Sequence, residues 1–251
     1  MNKQFKFVLR AFIGPFIILL LWYILHRNQV VNPALLPSPI DVLKNFIRLF
    51  YEGKILTDLG YSISRMIIGF SIATVIGILL GLFIGISEPV YEAVEGMIDF
   101  FRSIPVTTLY PIFVLFFGID HLSKIAMVIW ASVFVIMLNS AYGVRQSGKL
   151  RIQMAQLYGA SKNQIFKWIV FYNALPQTII GLRVAISFSL IVEILCEMFM
   201  GSEFGLGQRI TEAYTTFSMK ELFALILIAG ILGYLINRMF TYIEKKLTYW
   251  I

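Results

Sequence analysis

The sequence predicts an all-α integral membrane protein with about six transmembrane helices. Three observations carry that prediction. Of its 251 residues 59% are hydrophobic and only 14% charged, against roughly 25% charged in an average soluble domain, so the chain cannot solvate a soluble fold. The apolar residues gather into runs that match a bilayer core of roughly 30 Å, which takes about 20 residues of helix. The cations fall in short clusters between those runs, as the positive-inside rule requires.

The spans fall at residues 10–26, 62–86, 90–118, 122–143, 177–200 and 221–241. The first ends in His26-Arg27-Asn28, not in a small-x-small cleavage site, and reads as a retained anchor. Between it and the second lies "LPSPIDVLKNFIRLFYEGKIL", whose Val42, Leu43, Phe46, Leu49 and Phe50 recur at helical spacing. This predicts an amphipathic helix at the membrane surface. Residues 1–61 thus form an N-terminal anchor and extracytoplasmic segment, and 62–251 the main transmembrane domain. In the second span Gly77, Gly81 and Gly85 make a small-residue stripe that lets helix backbones approach closely.

The third span is interrupted. "VYEAVEGMIDFFRSIP" carries Glu92, Glu95, Asp99 and Arg102 and then meets Pro105. Proline removes a helix donor and disfavours helix for the residue before it, so a break is expected near Ile104-Pro105, facing protein or a wet cavity instead of lipid.

Charge orients the chain. The N-terminus carries Lys3, Lys6 and Arg10, and residues 144–168 carry Arg145, Lys149, Arg151, Lys162 and Lys167, with no acid in either segment. Six spans put both, and the Lys245-Lys246 tail, on one side, the cytoplasmic one. The net charge of +7 makes no continuous basic face, so nucleic acid is not an expected partner. The single cysteine, Cys196, can form neither an intramolecular disulfide nor a metal site on its own.

One cytoplasmic segment looks made for water. "AQLYGASKNQIFKWIVFYNALP", Ala155–Pro176, mixes Gln156, Ser161, Lys162, Asn163, Gln164 and Lys167 with apolar Leu157, Ile165, Trp168 and Ile169 around a bare Gly159. A short amphipathic helix of that kind suits either a groove on another protein or the lipid headgroup layer. The residues alone leave both open.

The segment resembles the EAA signature of membrane subunits of binding-protein-dependent ABC importers. Ala155 matches its second Ala, Gly159 its Gly, and Leu175-Pro176 its close, while Gln153 and Met154 stand where the signature has Glu and Ala. "LPSPIDVL", "SISRMIIGFSIATVIGILLGLFIG", "FFRSIP", "YPIFVLFFGID", "LSKI", "LNSAYGVR", "GLRVAI" and "GSEFGLGQRI" follow in the order found in the nitrate, sulfonate and taurine branch, from about Leu36 to Tyr242. The resemblance implies a type I importer fold, a multi-pass location in the bacterial inner membrane, and a homodimer. It further implies a cytoplasmic coupling helix at about 152–168 that docks on an ATP-binding subunit, itself a dimer, through Ala155, Gly159, Ala160, Ser161, Lys162, Gln164 and Pro176. An extracytoplasmic binding protein delivers the solute. No GxxxxGK[ST] phosphate loop occurs, so no cofactor is expected in this chain, ATP is expected on the partner, and no enzymatic activity is expected here.

Candidate path residues are Arg102, Pro105, Glu193 and Glu197. The two glutamates lie four apart in the fifth span, on one helix face, and acids within a span face the bundle interior or a wet cavity. Glu193 either lines the solute path or ties helices together, and Arg102 either attracts an anion or pairs with an acid such as Asp99. No cluster suggests a metal or a nucleophile. Two other readings remain: an ion-gradient transporter carrying protons on Glu193 and Glu197, and a membrane scaffold that recruits a partner. The solute is a small organic molecule or anion of sulfonate, taurine, nitrate, bicarbonate or thiamine-precursor type by the same resemblance.

Overall fold

The computed structural model describes residues 3–248; the side chains of residues 3–12 and of Lys149 lie outside the described set, and with them the basic N-terminal cluster and the first residues of the span expected at 10–26. The helices are α1 (Lys3–Arg27), α2 (Pro39–Tyr51), α3 (Lys54–Ile86), α4 (Glu88–Ser103), α5 (Tyr110–Phe117), α6 (His121–Arg145) and α7 (Lys149–Leu157). They continue as α8 (Lys162–Ile165), α9 (Phe171–Met200), α10 (Leu206–Thr215) and α11 (Met219–Leu247). A 3-10 turn, Val106–Leu109, precedes α5, and a π-helical turn, Phe166–Val170, joins α8 to α9. The result is one helix of 39 residues, Lys162–Met200.

Among the described residues, four helices are long and apolar enough to cross a membrane: Lys54–Ile86, His121–Arg145, Lys162–Met200 and Met219–Leu247. The pair Glu88–Ser103 and Val106–Phe117 passes the same test only when taken together, and it is bent by 83° at Ile104-Pro105, where the proline rule placed the break, as a broken span or a re-entrant loop is. The described apolar part of α1, Ile13–Arg27, is shorter than a full span, so the count of six is not reached on length alone. α3 begins at Lys54, and the division expected at 61/62 therefore falls inside one helix.

α3, α6 and α9 form the bundle's centre, packed on one another. Ala73, Ile136 and Ala185 meet there without any solvent exposure. Close approach comes from the small-residue stripe: Gly77 sits against Ile136, Gly81 against the Met137 carbonyl and Ser140, and Gly85 against Ala141 and Val144. In lipid, helices gain little from leaving an apolar surroundings, so tight van der Waals packing along such stripes holds them together.

A second layer caps one end of this centre. Val42 and Leu49 of α2, Ile55 of α3, Leu206 and Ile210 of α10, and Leu225 of α11 form one buried cluster. α2 is the amphipathic helix read from "LPSPIDVL", opened by Ser38 as N-cap, whose Oγ accepts from the Asp41 N–H, and by Pro39 at its first position. Lys220 lies 3.2 Å from Asp41, tying α2 to α11 and holding that carboxyl below the usual carboxylate range. α1 is tethered at its end, where Trp22 Nε1 donates to the Pro37 carbonyl and His26 Nδ1 lies 2.8 Å from that of Leu36.

Candidate functional site

Two groups of polar residues stand at opposite ends of the 39-residue helix, which spans roughly 58 Å at 1.5 Å per residue. The first is the segment expected as a single coupling helix at 152–168. It is instead a helix, a turn and the start of a second helix. α7 stops at Leu157 because Gly159 takes a left-handed conformation, φ +78°. The Gly159 N–H donates to the Gln156 carbonyl and the Ala160 N–H to that of Ala155, the paired bonds of a Schellman termination. The chain then restarts on a capping box: Ser161 Oγ accepts from the Gln164 N–H, and the Gln164 side chain accepts from the Ser161 N–H. That Ser-x-x-Gln pattern is legible in the sequence and marks Lys162 as the first turn of the long helix.

The turn has an inner and an outer face. Ile152, Ala155 and Ala160 pack on a cluster of Leu82, Val144, Ile165, Val170 and Ala174. On α7 the outer positions Leu150, Met154, Leu157 and Tyr158 follow i, i+4, i+7 and i+8 and share one side. Leu157 and Tyr158 at its tip are 88% and 89% exposed. Lys162 is also exposed. Pro176 lies apart from this tip, inside α9, after the π turn. Arg151 Nη1 reaches Asn173 at 3.0 Å and braces the turn against the long helix.

At the other end α9 carries Glu193 and Glu197, both without solvent exposure. Glu197 is fully partnered: it accepts from Ser62 Oγ, from Arg65 Nη1 at 2.8 Å and from the Gly207 N–H at 2.8 Å. Ser62 Oγ in turn accepts from the Leu206 N–H. Asp58, one turn before Ser62, accepts from the Gly205 N–H and from Arg209 Nε at 2.7 Å, and that bond holds the Arg209 guanidinium above its usual range. Gly205, φ +150°, lies against the Glu197 carboxylate, leaving no room for a Cβ. Glu193 Oε1 is 3.7 Å from Arg65 Nη1, and neither of its oxygens has a hydrogen-bond partner. Lys124 of α6, 2% exposed, lies within electrostatic range of both acids.

Arg65, Lys124, Asp58, Ser62 and Arg209 were missed by sequence reasoning, although Asp58, Ser62 and Arg65 recur at i, i+4 and i+7 and so mark one face of α3. The structure brings Glu193 and Glu197 together with Arg65 but encloses them among the chain's own helices. Arg102 stands elsewhere, exposed, 3.1 Å from Asp99 one turn before it. Pro105 leads into the 3-10 turn, whose Val106 and Thr107, with Tyr110 at the start of α5, border an apolar pocket of about 110 Å³. Its far wall is Val192, Cys196 and Phe199 of α9. Arg183 pairs with Glu244 at 2.8 Å, joining α9 to α11.

Comparison with known proteins gives this arrangement its context. Residues 73–249 match the family described as "Binding-protein-dependent transport system inner membrane component". Nitrate import permease protein NrtB of Synechocystis is 30% identical over 247 residues, covering 95% of this chain and 88% of the relative. Formylaminopyrimidine transport permease protein ThiX of Halalkalibacterium halodurans is 32% identical over 220 residues, with 88% and 87% covered. Taurine transport system permease protein TauC of Escherichia coli is 25% identical over 239 residues, with 93% and 86% covered. Among solved structures, a bacterial ABC transporter that imports alginate superposes with a TM-score of 0.68 at 14% identity, over 98% of this chain and 97% of that one. The inward-facing MetNI methionine ABC transporter gives 0.67 at 18% identity, over 76% and 94%. At these identities the structures establish the fold, and the sequence matches establish the family. The chain belongs to the binding-protein-dependent transport system inner membrane components, the permease subunits of ABC importers.

Proposed function

We propose that two copies of this chain enclose the solute pathway of an inner-membrane importer, and that each copy docks the 149–161 turn on a separate cytoplasmic ATP-binding subunit. The observation that carries this reading is the uncovered apolar side of α7, from Leu150 to Tyr158, held on a braced turn at the end of the longest helix. An apolar helix face presented this way suits a groove on a partner protein. Closure of the nucleotide-bound dimer moves the docked turns, and the continuous helix Lys162–Met200 carries that motion across the membrane. The chain contributes no nucleotide site of its own in this reading, and a binding protein delivers solute at the α9–α10 end. In this reading α1 also crosses the membrane and both termini are cytoplasmic, which the charge clusters support. Gly159, Ala155 and Ala160 set the shape of the docking turn, Ser161 and Gln164 close its second helix, Lys162 borders it, and Pro176 acts from within α9.

For the pathway we propose the bent segment at Pro105 and the apolar pocket behind it, with Arg102 three residues before the bend. The relatives named for nitrate, taurine and formylaminopyrimidine support a small anion or small organic solute. Reconstitution tests the whole reading. The chain purified with its ATP-binding subunit, in vesicles with the binding protein, takes up solute on ATP addition and continues when the proton gradient is collapsed. Uptake that needs the gradient and ignores ATP refutes it and favours an ion-coupled carrier.

A further inference from the structure

One guanidinium holds four parts of the chain together at the α9–α10 end. Arg65 on α3 donates from Nε to His121 Nδ1 on α6 at 2.6 Å, and from Nη1 to Glu197 on α9 at 2.8 Å. Nη1 also reaches the carbonyl of Phe204, in the turn between α9 and α10, at 3.2 Å. Tyr61 strengthens the same contact. Its ring stacks on both His121 and Phe204, at centroid distances of 5.9 and 5.0 Å, with Arg65 5.5 Å above it. The turn is therefore clasped by a buried cation and by an aromatic ring one helical turn before it.

The Arg65–His121 bond restricts the imidazole. A guanidinium N–H can only donate, so Nδ1 must accept, and the ring is neutral with its proton on Nε2. Nε2 faces Asp120 Oδ1 at 3.6 Å, an acceptor suited to that tautomer. A proton on Nδ1 sets donor against donor beside a permanent positive charge. Arg65 is 3% exposed, whereas the His121 side chain is 48% exposed and open to the surrounding pH. The other ionisable groups facing this pair are Tyr61 of α3, Lys124 of α6, and Glu193 and Glu197 of α9, while Asp58 of α3 and Arg209 of α10 on the far side of the turn pair with each other.

We propose that Arg65 is a positioning residue for the α9–α10 turn, and that its grip requires an unprotonated His121, so acidification at that end of the protein loosens the turn. Loosening frees the amides of Gly205, Leu206 and Gly207, which donate to Asp58, Ser62 and Glu197. Nothing in this depends on the solute or on which ATP-binding subunit is bound.

Hydrogen exchange read by mass spectrometry tests it, on the complex in lipid nanodiscs, as protection factors for a peptide covering 203–209 at about pH 7.5 and about pH 5.5, the interval across which histidine changes charge. In the wild type, protection of this peptide falls about tenfold on acidification, as expected for losing one charge-assisted hydrogen bond, while a peptide from the middle of α6 stays protected. His121→Asn keeps an oxygen to accept from Arg65 and cannot be protonated, so its turn stays protected at both pH values. Arg65→Gln leaves the turn poorly protected at both. Equal falls in the wild type and in His121→Asn overturn the proposal, as does a wild-type turn whose protection does not change. If Arg65→Gln fails to assemble, the His121→Asn comparison decides alone.

Discussion

Ser62 Oγ lies 2.7 and 2.9 Å from the two carboxylate oxygens of Glu197, 135 residues further along the chain. The hydroxyl has one proton to donate, and the carboxylate's other donors are divided between its oxygens: Arg65 Nη1 donates to Oε1 and the Gly207 N–H to Oε2. The hydroxyl's own lone pair accepts from Leu206, and a single side chain thus joins α3 to α9 and to the start of α10. A carboxylate placed in a transmembrane helix is tolerated here because every oxygen it exposes to protein is met by a donor.

Removing Glu197 leaves Arg65 buried and under-compensated. Glu197→Ala is expected to destabilise the chain by about 3–5 kcal/mol, the range for breaking one side of a buried pair. Denaturant titration of the purified permease in detergent measures this. A change within about 0.5 kcal/mol, typical of a surface site, contradicts the network.

Glu193 poses a sharper choice, because it is enclosed yet has no hydrogen bond. Glu193→Gln keeps its shape and replaces the carboxyl group near Arg65 and Lys124 with a neutral amide. The expected outcome is a shifted melting temperature with the order of preference among competing solutes unchanged. Altered selectivity at unchanged melting temperature places Glu193 on the solute path instead.

The α3–α6 contact makes a paired prediction about glycine. Gly81→Val drives a branched side chain into the Met137 carbonyl and is expected to cost about 1–3 kcal/mol or prevent folding, as overpacking does. Gly230→Ala on α11 meets nothing within 4 Å and is expected to be neutral or stabilising by about 0.5–1 kcal/mol. Expression level and melting temperature of the two variants check the contrast.

At the docking turn, conformation and space separate. A Cβ at Gly159 meets nothing within 4 Å, but φ there is +78°. Gly159→Val is therefore expected to impair ATP-driven uptake through backbone strain, while Gly159→Asn, a residue that tolerates this region, retains most of it. Ser161→Ala removes one side of the capping box and is expected to cost about 1 kcal/mol. Equal loss in the Val and Asn variants points to a steric requirement at the partner surface and contradicts the conformational account.

The parts of this fold legible in the sequence are those fixed by local chemistry. The proline at 105, the Ser38-Pro39 start of α2 and the apolar runs each impose structure on their own neighbours. The apolar residues of the polar segment at 152–168 keep helical spacing through Gly159, so the pattern alone predicts one helix there. The competing signals were the glycine's left-handed preference and the Ser161–Gln164 box, and they decide the backbone. The Arg65 network was not legible because its partners are brought together by packing of α3, α6 and α9. Lys124 stands near the start of α6, and its burial comes from the packing of that helix against α3 and α9, which local sequence does not reveal. Ordering in the sequence marked Glu193 and Glu197 as one face, but only the fold supplies Ser62, Arg65 and Gly207 opposite them.

The central claim, that the outer side of α7 is the docking surface for the ATP-binding subunit, is most directly tested at Tyr158. The chain has one natural cysteine, buried Cys196, so a Cys196→Ser background carrying Tyr158→Cys has a single thiol at the exposed tip. Photo-crosslinking from that thiol in the assembled complex is predicted to give one major adduct, with the ATP-binding subunit, its yield changing when nucleotide is added. Exclusive crosslinking to lipid, with the ATP-binding subunit present and untouched, would contradict the account.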